Sequence, residues 1–303
     1  MRLKQLQHFV LLAQERNFHK AAARAYLSQP ALSHSIKALE NSLDAQLFDR
    51  DRKQVSLTGF GEILLVRAKK ILFESENFER ELMTLKQGDS GLVTFGLATT
   101  FAAAFAAPVL SEWQRQRNKI RTQLLIENSQ LLTENLHQER IEFAVVDLRD
   151  ASDFDDLDIR EIATHPGGFF ARKDHPLHQL TNVSNQDVFD YGLVSIALPR
   201  KLEASLMKNL ALQKDQPLLQ CECDNFAACE ALMLATDLIL PSLNCAIDAS
   251  AKKAQIQQLQ IATLPAIEGK WGIACLKGRF IQPATKALMD DFLNAANQYV
   301  ERS

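Results

Sequence analysis

The sequence predicts an α/β chain in three parts: a winged helix-turn-helix over residues 1–58, a long linker helix with its hinge over 59–90, and an α/β body in two units over 91–303. Three observations predict this. Two short amphipathic segments and a Ser-Gln-Pro turn lead into a helix with one polar face; apolar residues then recur every seven positions; and the remainder alternates strand-like with helix-like runs. A chain of 303 residues is more than one core usually holds, and 47% apolar with 23% charged residues excludes a disordered polymer. The longest apolar run, residues 97–110, is broken by Thr99, Thr100 and Pro108 and falls short of the ~20 residues of a membrane span. The N-terminal stretch has no signal-peptide pattern, so a cytoplasmic protein with reduced thiols and no membrane association is expected.

Leu3, Leu6, Phe9, Val10 and Ala13 fall at helical spacing and predict a first helix ending near Glu15. Asn17 suits the N-cap of a second helix over 19–25, where Ala21, Ala22 and Ala23 permit close packing. Ser28 then caps a third helix that carries Pro30 in its first turn, where the missing N–H is harmless. Along that helix Leu32, Ile36 and Leu39 form an apolar stripe, while Gln29, Ser33, His34 and Lys37 fall opposite. Gln can pair with adenine, Ser with base edges or phosphate, and Lys with guanine or phosphate. Short strand-like runs at 47–48 and 55–57 flank a polar tip, so Arg50, Arg52 and Lys53 belong to a basic wing able to lie on a phosphate backbone. Nine Lys/Arg face five Asp/Glu in residues 1–60, whereas 91–303 carry 20 against 26. Only the first segment is therefore expected to meet a polyanion, namely double-stranded DNA.

From 58 to 86 there is no Pro, and Gly59 and Gly61 lie in the first turn. Leu64, Ile71, Phe78 and Leu85 are spaced by seven, as are Gly61, Ala68, Ser75 and Leu82. The two sets read as heptad d and a positions, and predict a homodimer through Leu64, Ala68, Ile71, Ser75, Phe78, Leu82 and Leu85 on a helix about 40 Å long. Residues 87–91 end it as a hinge.

In the body, strands at 92–97, 121–126 and 143–146 alternate with helices, the first carrying Phe101, Phe105, Val109 and Trp113 and the second at 129–138. This order implies a parallel sheet. A second unit follows Ile162, with strands near 169–170, 193–194, 218–222 and 238–240 and a helix over 225–235; a strand at 271–276 and a helix over 283–299 close the chain. Ligands of open α/β sheets sit beyond the carboxyl ends of strands, near helix N-termini. The positions so placed are Thr99, Thr100, Phe101 and Asp147, and in the second unit Ser195, Ile196, Asn225 and Phe226. Thr99 and Thr100 serve equally as helix caps. Asp147 would disfavour an anionic small-molecule effector unless a cation neutralises it, which points to an amine-bearing or neutral ligand. Cys221, Cys223, Cys229 and Cys245 lack the paired spacing of common zinc sites and read as buried apolar thiols, with a thiol sensor as the alternative. No P-loop, dinucleotide fingerprint, zinc-protease or nucleophile-elbow pattern occurs, so neither an enzyme nor a cofactor is expected.

The first sixty-five residues closely resemble, without gaps, the N-terminus of LysR-type transcriptional regulators. The resemblance rests on the Ala pair of the second helix, SQPALS at 28–33, Leu39-Glu40, LFDR at 47–50 and LTGFGE at 57–62. It implies a sequence-specific regulator whose effector binds between two α/β lobes joined by crossing strands, similar to periplasmic solute-binding proteins. It also implies allosteric control, a homodimer through the linker, a homotetramer of two dimer types, and contact with RNA polymerase where the regulator activates. The body matches more loosely, through element order and a His-Pro-Leu stretch at 175–177, with lobe I at 91–162 and 266–303 and lobe II at 163–265. Three positions depart from the pattern: His34 replaces a usual Arg, Asp44 a usual Gly where the third helix ends, and Ala235-Thr236-Asp237 a glycine-rich turn. Two other readings are a thiol redox-sensing regulator on the same fold and a cytosolic solute-binding protein without DNA function.

Overall fold

The computed structural model describes residues 1–49, 55–87, 91–149, 155–210, 216–261 and 263–302 and divides into two compact units, Met1–Lys86 and Gln87–Ser303. In the first unit, α1 (Leu3–Glu15), α2 (Phe18–Arg24) and α3 (Gln29–Leu43) enclose a core of Leu6, Phe9, Leu12, Leu32, Ile36 and Leu39. Helix α1 stops because Arg16 turns left-handed, at φ 49°. Helix α2 begins one residue earlier than expected, since Asn17 accepts the N–H groups of both His19 and Lys20. Ser28 caps α3 through the N–H of Ala31, and Asp44 ends it at φ 50°, ψ 40°, a conformation that glycine adopts without strain and other residues do not.

The wing follows as β1 (Phe48–Asp49) paired antiparallel with β2 (Ser56–Leu57). The buried Glu40 carboxylate positions its start by accepting the N–H groups of Leu47 and Phe48 at 2.9 and 3.3 Å. Arg50, Arg52 and Lys53 lie outside the described residues. Helix α4 (Gly59–Gln87) starts where the Thr58 hydroxyl oxygen accepts the N–H of Gly61 at 3.0 Å and donates its own proton to the Gln46 carbonyl at 2.7 Å. Gly61 is required there: a Cβ would stand 2.2 Å from the Leu47 carbonyl oxygen.

The second unit opens with β3 (Gly91–Ala98), α5 (Thr99–Gln116), β4 (Ile120–Glu127), α6 (Ser129–His137) and β5 (Phe143–Asp147). Strand β3 runs parallel to both β4 and β5, so the alternation of strands and helices does build a parallel sheet. One element that the periodicity did not reveal follows as β6 (Leu157–Glu161), and the strand expected near 169–170 extends over β7 (His165–Arg172). Next come α7 (Asn185–Tyr191), β8 (Leu193–Ser195), α8 (Arg200–Asn209), β9 (Leu219–Glu222), α9 (Phe226–Ala235), β10 (Leu240–Leu243) and α10 (Asn244–Asp248). The chain closes with β11 (Ile256–Leu259), β12 (Ile267–Gly269), β13 (Trp271–Leu276) and α11 (Pro283–Arg302).

The first sheet has the order β4-β3-β5-β13-β6, with β13 antiparallel to both neighbours. The second is built on β7, which pairs antiparallel with β10, β11 and β12, while β8 and β9 form a parallel pair linked to Ile239. Two segments cross between the sheets, at 162–164 and at Lys270. The return crossing thus falls beyond Gly269 rather than at 266, because β12 still bonds to β7. The core runs through both crossings: Trp271 lies edge-on to Phe101 at 4.9 Å, and Phe95 stacks on Phe143 at 5.1 Å. Among the described residues no helix is long and apolar enough to cross a membrane.

Candidate DNA-contacting face and ligand cavity

Helix α3 separates its residues by chemistry. Leu32, Ile36 and Leu39 are fully buried, whereas Gln29, Pro30, His34 and Lys37 are exposed and Ser33 is half-buried on the same outward side. The helix is anchored from behind, where Ser35 Oγ meets His8 Nδ1 at 2.7 Å. Burial and the neighbouring Lys4 charge lower the His8 pKa, so the ring is neutral at physiological pH. The structure therefore brings all five α3 residues named from the sequence onto one outward polar face. Sequence reasoning missed Tyr26, which is 96% exposed in the turn before α3 at φ 55°. Its signal was a large aromatic between two short helices, in a place where nothing buries it.

The dimer seam is partly a correction. Ala68 is buried in the core of the winged unit and Leu64 and Leu72 pack against it, because the first half of α4 is used to cover that core. Apolar side chains left outward are Phe60, Ile63, Val66 and Phe78, each at least 65% exposed, with Ile71 and Leu82 both 41% exposed; at about 100° per residue Val66 falls to one side of the line the others share. Ser75 is half-buried, and the Leu85 side chain lies outside the described part. The outward stripe is therefore Phe60, Ile63, Ile71, Phe78 and Leu82.

Between the two sheets of the second unit lies a cavity of about 400 Å³. Thr99, Thr100, Asp147, Ser195 and Ile196 all line it, together with Leu198, Leu202, Asp224 and Ser242. Phe101 does not: it is fully buried against Trp271 and Phe292. Asn225 and Phe226 face a neighbouring depression of about 460 Å³, bordered by Ala102, Ala103 and Glu230. Asn225 also caps α9, accepting the N–H of Ala228 at 3.1 Å. Thr99 borders both spaces.

Neither Thr99 nor Thr100 is the N-cap of α5. That place belongs to Ala98, which has no side-chain acceptor, and Pro199 is likewise the N-cap of α8. Two helix N-termini thus reach the cavity wall without a side-chain cap, and such termini attract hydrogen-bond acceptors and negative charge. The Asp147 charge is already matched. Arg149 donates through Nε and Nη2 to the Asp147 carboxylate at 2.9 and 2.5 Å, and through Nη1 to the Glu268 carbonyl. With its carboxylate so paired, Asp147 no longer favours an amine-bearing ligand. Ser242 is 5% exposed, and its Oγ has no hydrogen-bond partner among the described residues. Sequence reading passed over Arg149 because it lies past the strand end, and Ser242 because it is one hydroxyl within an apolar run.

Cys229 and Cys245 are buried as expected, but Cys221 and Cys223 are only half-buried, and all are free thiols. Among the described residues no group of His, Cys, Asp and Glu is arranged to hold a metal.

Residues 3–62 match the family model described as "Bacterial regulatory helix-turn-helix protein, lysR family", and residues 86–297 match "LysR substrate binding domain". The chain is 32% identical over 292 residues to the SDS degradation transcriptional activation protein of a Pseudomonas species, covering 94% of each. It is 27% identical over 302 residues to the regulator CfxR of Cupriavidus necator, covering 99% of this chain and 93% of the relative. Among solved structures, full-length OxyR from Pseudomonas aeruginosa aligns with a TM-score of 0.59 at 20% identity, over 96% of this chain and 94% of that one. Full-length CbnR complexed with its target DNA aligns with a TM-score of 0.51 at 18% identity, over 98% of this chain and all of the other.

Proposed function

Since the chain belongs to the LysR family of bacterial helix-turn-helix regulators, it is a DNA-binding transcriptional regulator, and we propose that α3 is the element that reads its operator. The observation that supports this is the exposed face of Gln29, Ser33, His34 and Lys37 opposite a buried Leu32, Ile36 and Leu39. In this reading Gln29 and Ser33 contact base edges in the major groove. Lys37, His34 and the wing cations Arg50, Arg52 and Lys53 contact phosphates and set register.

The effector occupies the cavity between the lobes. Two helix N-termini without side-chain caps suit a ligand with an oxygen-rich, acceptor-bearing head, and Ile196, Leu198 and Leu202 suit an aliphatic portion. The relative that activates SDS degradation bears a name consistent with such an amphiphile. Binding biases the arrangement of the lobes only insofar as the two arrangements differ in affinity. The outward stripe of α4 pairs two subunits into a homodimer, and two dimers make a tetramer. RNA polymerase is the further partner if the protein activates. The protein works in the cytoplasm without catalysis or cofactor.

The test is DNA binding by variants across salt. Each phosphate contact contributes a slope of about −0.9 to log K against log salt. Lys37→Ala should flatten the slope by about 0.9 per subunit, which is about a 3.5-fold smaller loss of affinity between 50 and 200 mM salt. Gln29→Ala should lose discrimination at one base position, by about 1–3 kcal/mol. If both variants bind operator and random duplex as the wild type does, α3 is not the reading element.

A further inference from the structure

The strongest unassigned chemistry is a pair of thiols in lobe II. Cys223 follows β9 and is half-buried; Cys229 lies on α9 and is fully buried. Their Sγ atoms stand 3.0 Å apart, and Cys223 Sγ also contacts the Asn225 carbonyl at 3.4 Å. A disulfide has its sulfurs about 2.05 Å apart, so roughly 1 Å of side-chain movement separates this contact from a bond. The short loop between the two residues holds Asp224, which lines both the ligand cavity and the neighbouring depression, and Asn225, which caps α9. Neither thiol enters DNA binding or the contacts assigned to the effector.

We propose that Cys223 and Cys229 form a reversible intramolecular disulfide on exposure to a hydroperoxide, and that the bond stiffens the Asp224–Asn225 turn beside the cavity. The accessible Cys223 reacts first, as its thiolate. Its sulfur attacks the peroxide, the O–O bond breaks, and the products are a Cys223 sulfenic acid and water or an alcohol. The Cys229 sulfur then attacks the Cys223 sulfur, and the sulfenic oxygen leaves as water with the Cys229 proton. Two thiols lose two electrons in total and one peroxide is reduced. A dithiol reductant returns both residues to thiols by exchange. Burial pushes the Cys229 thiol up to about 12, which makes it a poor first nucleophile but leaves it able to resolve a neighbour already in contact. Cys245, also raised to about 12 by burial, has no such neighbour and stays reduced.

The experiment titrates the full-length protein with hydrogen peroxide, blocks remaining thiols, and maps linked peptides by mass spectrometry without reduction. The expected result is loss of two of the five thiols, a single Cys223–Cys229 linkage within one chain, and full reversal by dithiothreitol. Hydrogen exchange over residues 223–229 should slow on oxidation. Cys229→Ala should arrest Cys223 as a sulfenic acid that dimedone traps, and Cys223→Ala should leave Cys229 unreactive. Linkage of Cys221 to either partner, a bond between chains, over-oxidised Cys223 alone, or retention of all thiols would each overturn the pairing. Unchanged exchange in the oxidised protein would overturn the stiffening. The mapping is done on the wild-type chain and stands even if a variant fails to fold.

Discussion

Removing the Ser242 hydroxyl should hold or raise stability, whereas removing a hydrogen-bonded hydroxyl at an equally buried position should lower it. Ser242 lies on β10 at the cavity wall, 95% buried by its 5% exposure, with Oγ unpaired among the described residues. A buried hydroxyl that gave up water without gaining a partner carries a penalty of about 1–3 kcal/mol. Ser242→Ala relieves part of this at the loss of one small atom's contacts, so ligand-free stability should stay level or rise by about 1 kcal/mol. In a unit of this size that corresponds to about 2–4 °C in Tm. Thr285→Val is the contrast. Thr285 is equally buried, but its hydroxyl donates to Glu142 at 2.6 Å, so this variant should lose about 1–3 kcal/mol with no ligand present. The reasoning is refuted if Ser242→Ala lowers the ligand-free Tm as far as Thr285→Val does.

Three other expectations follow from named positions. Phe78→Glu places a charge on the outward stripe of α4, where the native ring is 69% exposed, so sedimentation should show a monomer of unchanged fold; a variant that still sediments as a dimer would remove α4 as the seam. Asp44→Gly relieves a left-handed residue at φ 50° and should stabilise the winged unit by about 1 kcal/mol in denaturant unfolding, where a loss of stability would contradict the assigned strain. Burial lowers the pKa of His165 below 6.5, with His178 and His8 shifted in the same direction. The folded state therefore resists protons that the unfolded chain accepts, so stability is fully present above about pH 7 and declines as pH falls through 6.5 towards the depressed values. A Tm that rises between about pH 7 and pH 5.5 would show the sign to be wrong.

The winged unit was legible because its determinants are local. Asn17, Ser28 and Thr58 each cap the helix that follows through a hydrogen bond spanning two or three residues, and such bonds form wherever the spacing allows. The second lobe was less legible for the opposite reason. Strands β7, β10, β11 and β12 are joined by antiparallel pairings between residues as distant as His165 and Gly269, and apart from the three-residue β12 none has the alternation of a half-exposed strand. The α4 seam fell between these cases. A seven-residue repeat shows which residues share a stripe, but not whether that stripe meets a second copy or the helix's own domain. Ala68 went to the domain and Phe78 to the outside, because the winged core extends along only the first turns of the helix.

The cavity shows the same division at the level of single charges. The strand-end rule found Thr99, Thr100, Ser195 and Ile196, since backbone topology alone delivers those positions to the space between the lobes. It could not give the sign of the field there. Asp147 taken alone predicts attraction for a cation, yet Arg149 two residues later folds back on it and also reaches Glu268 on β12. That second contact depends on a strand more than a hundred residues away, so only the folded chain fixes the guanidinium over the carboxylate. With this charge matched, the partial positive ends of α5 and α8 are free to favour an acceptor. Against them stand Glu127 and Asp224, which also line the cavity, with Glu127 engaged by the Asn135 amide at 2.9 Å. The head-group preference expected of this cavity is therefore for acceptors that match backbone dipoles, with the lining carboxylates limiting how much negative charge a ligand can carry.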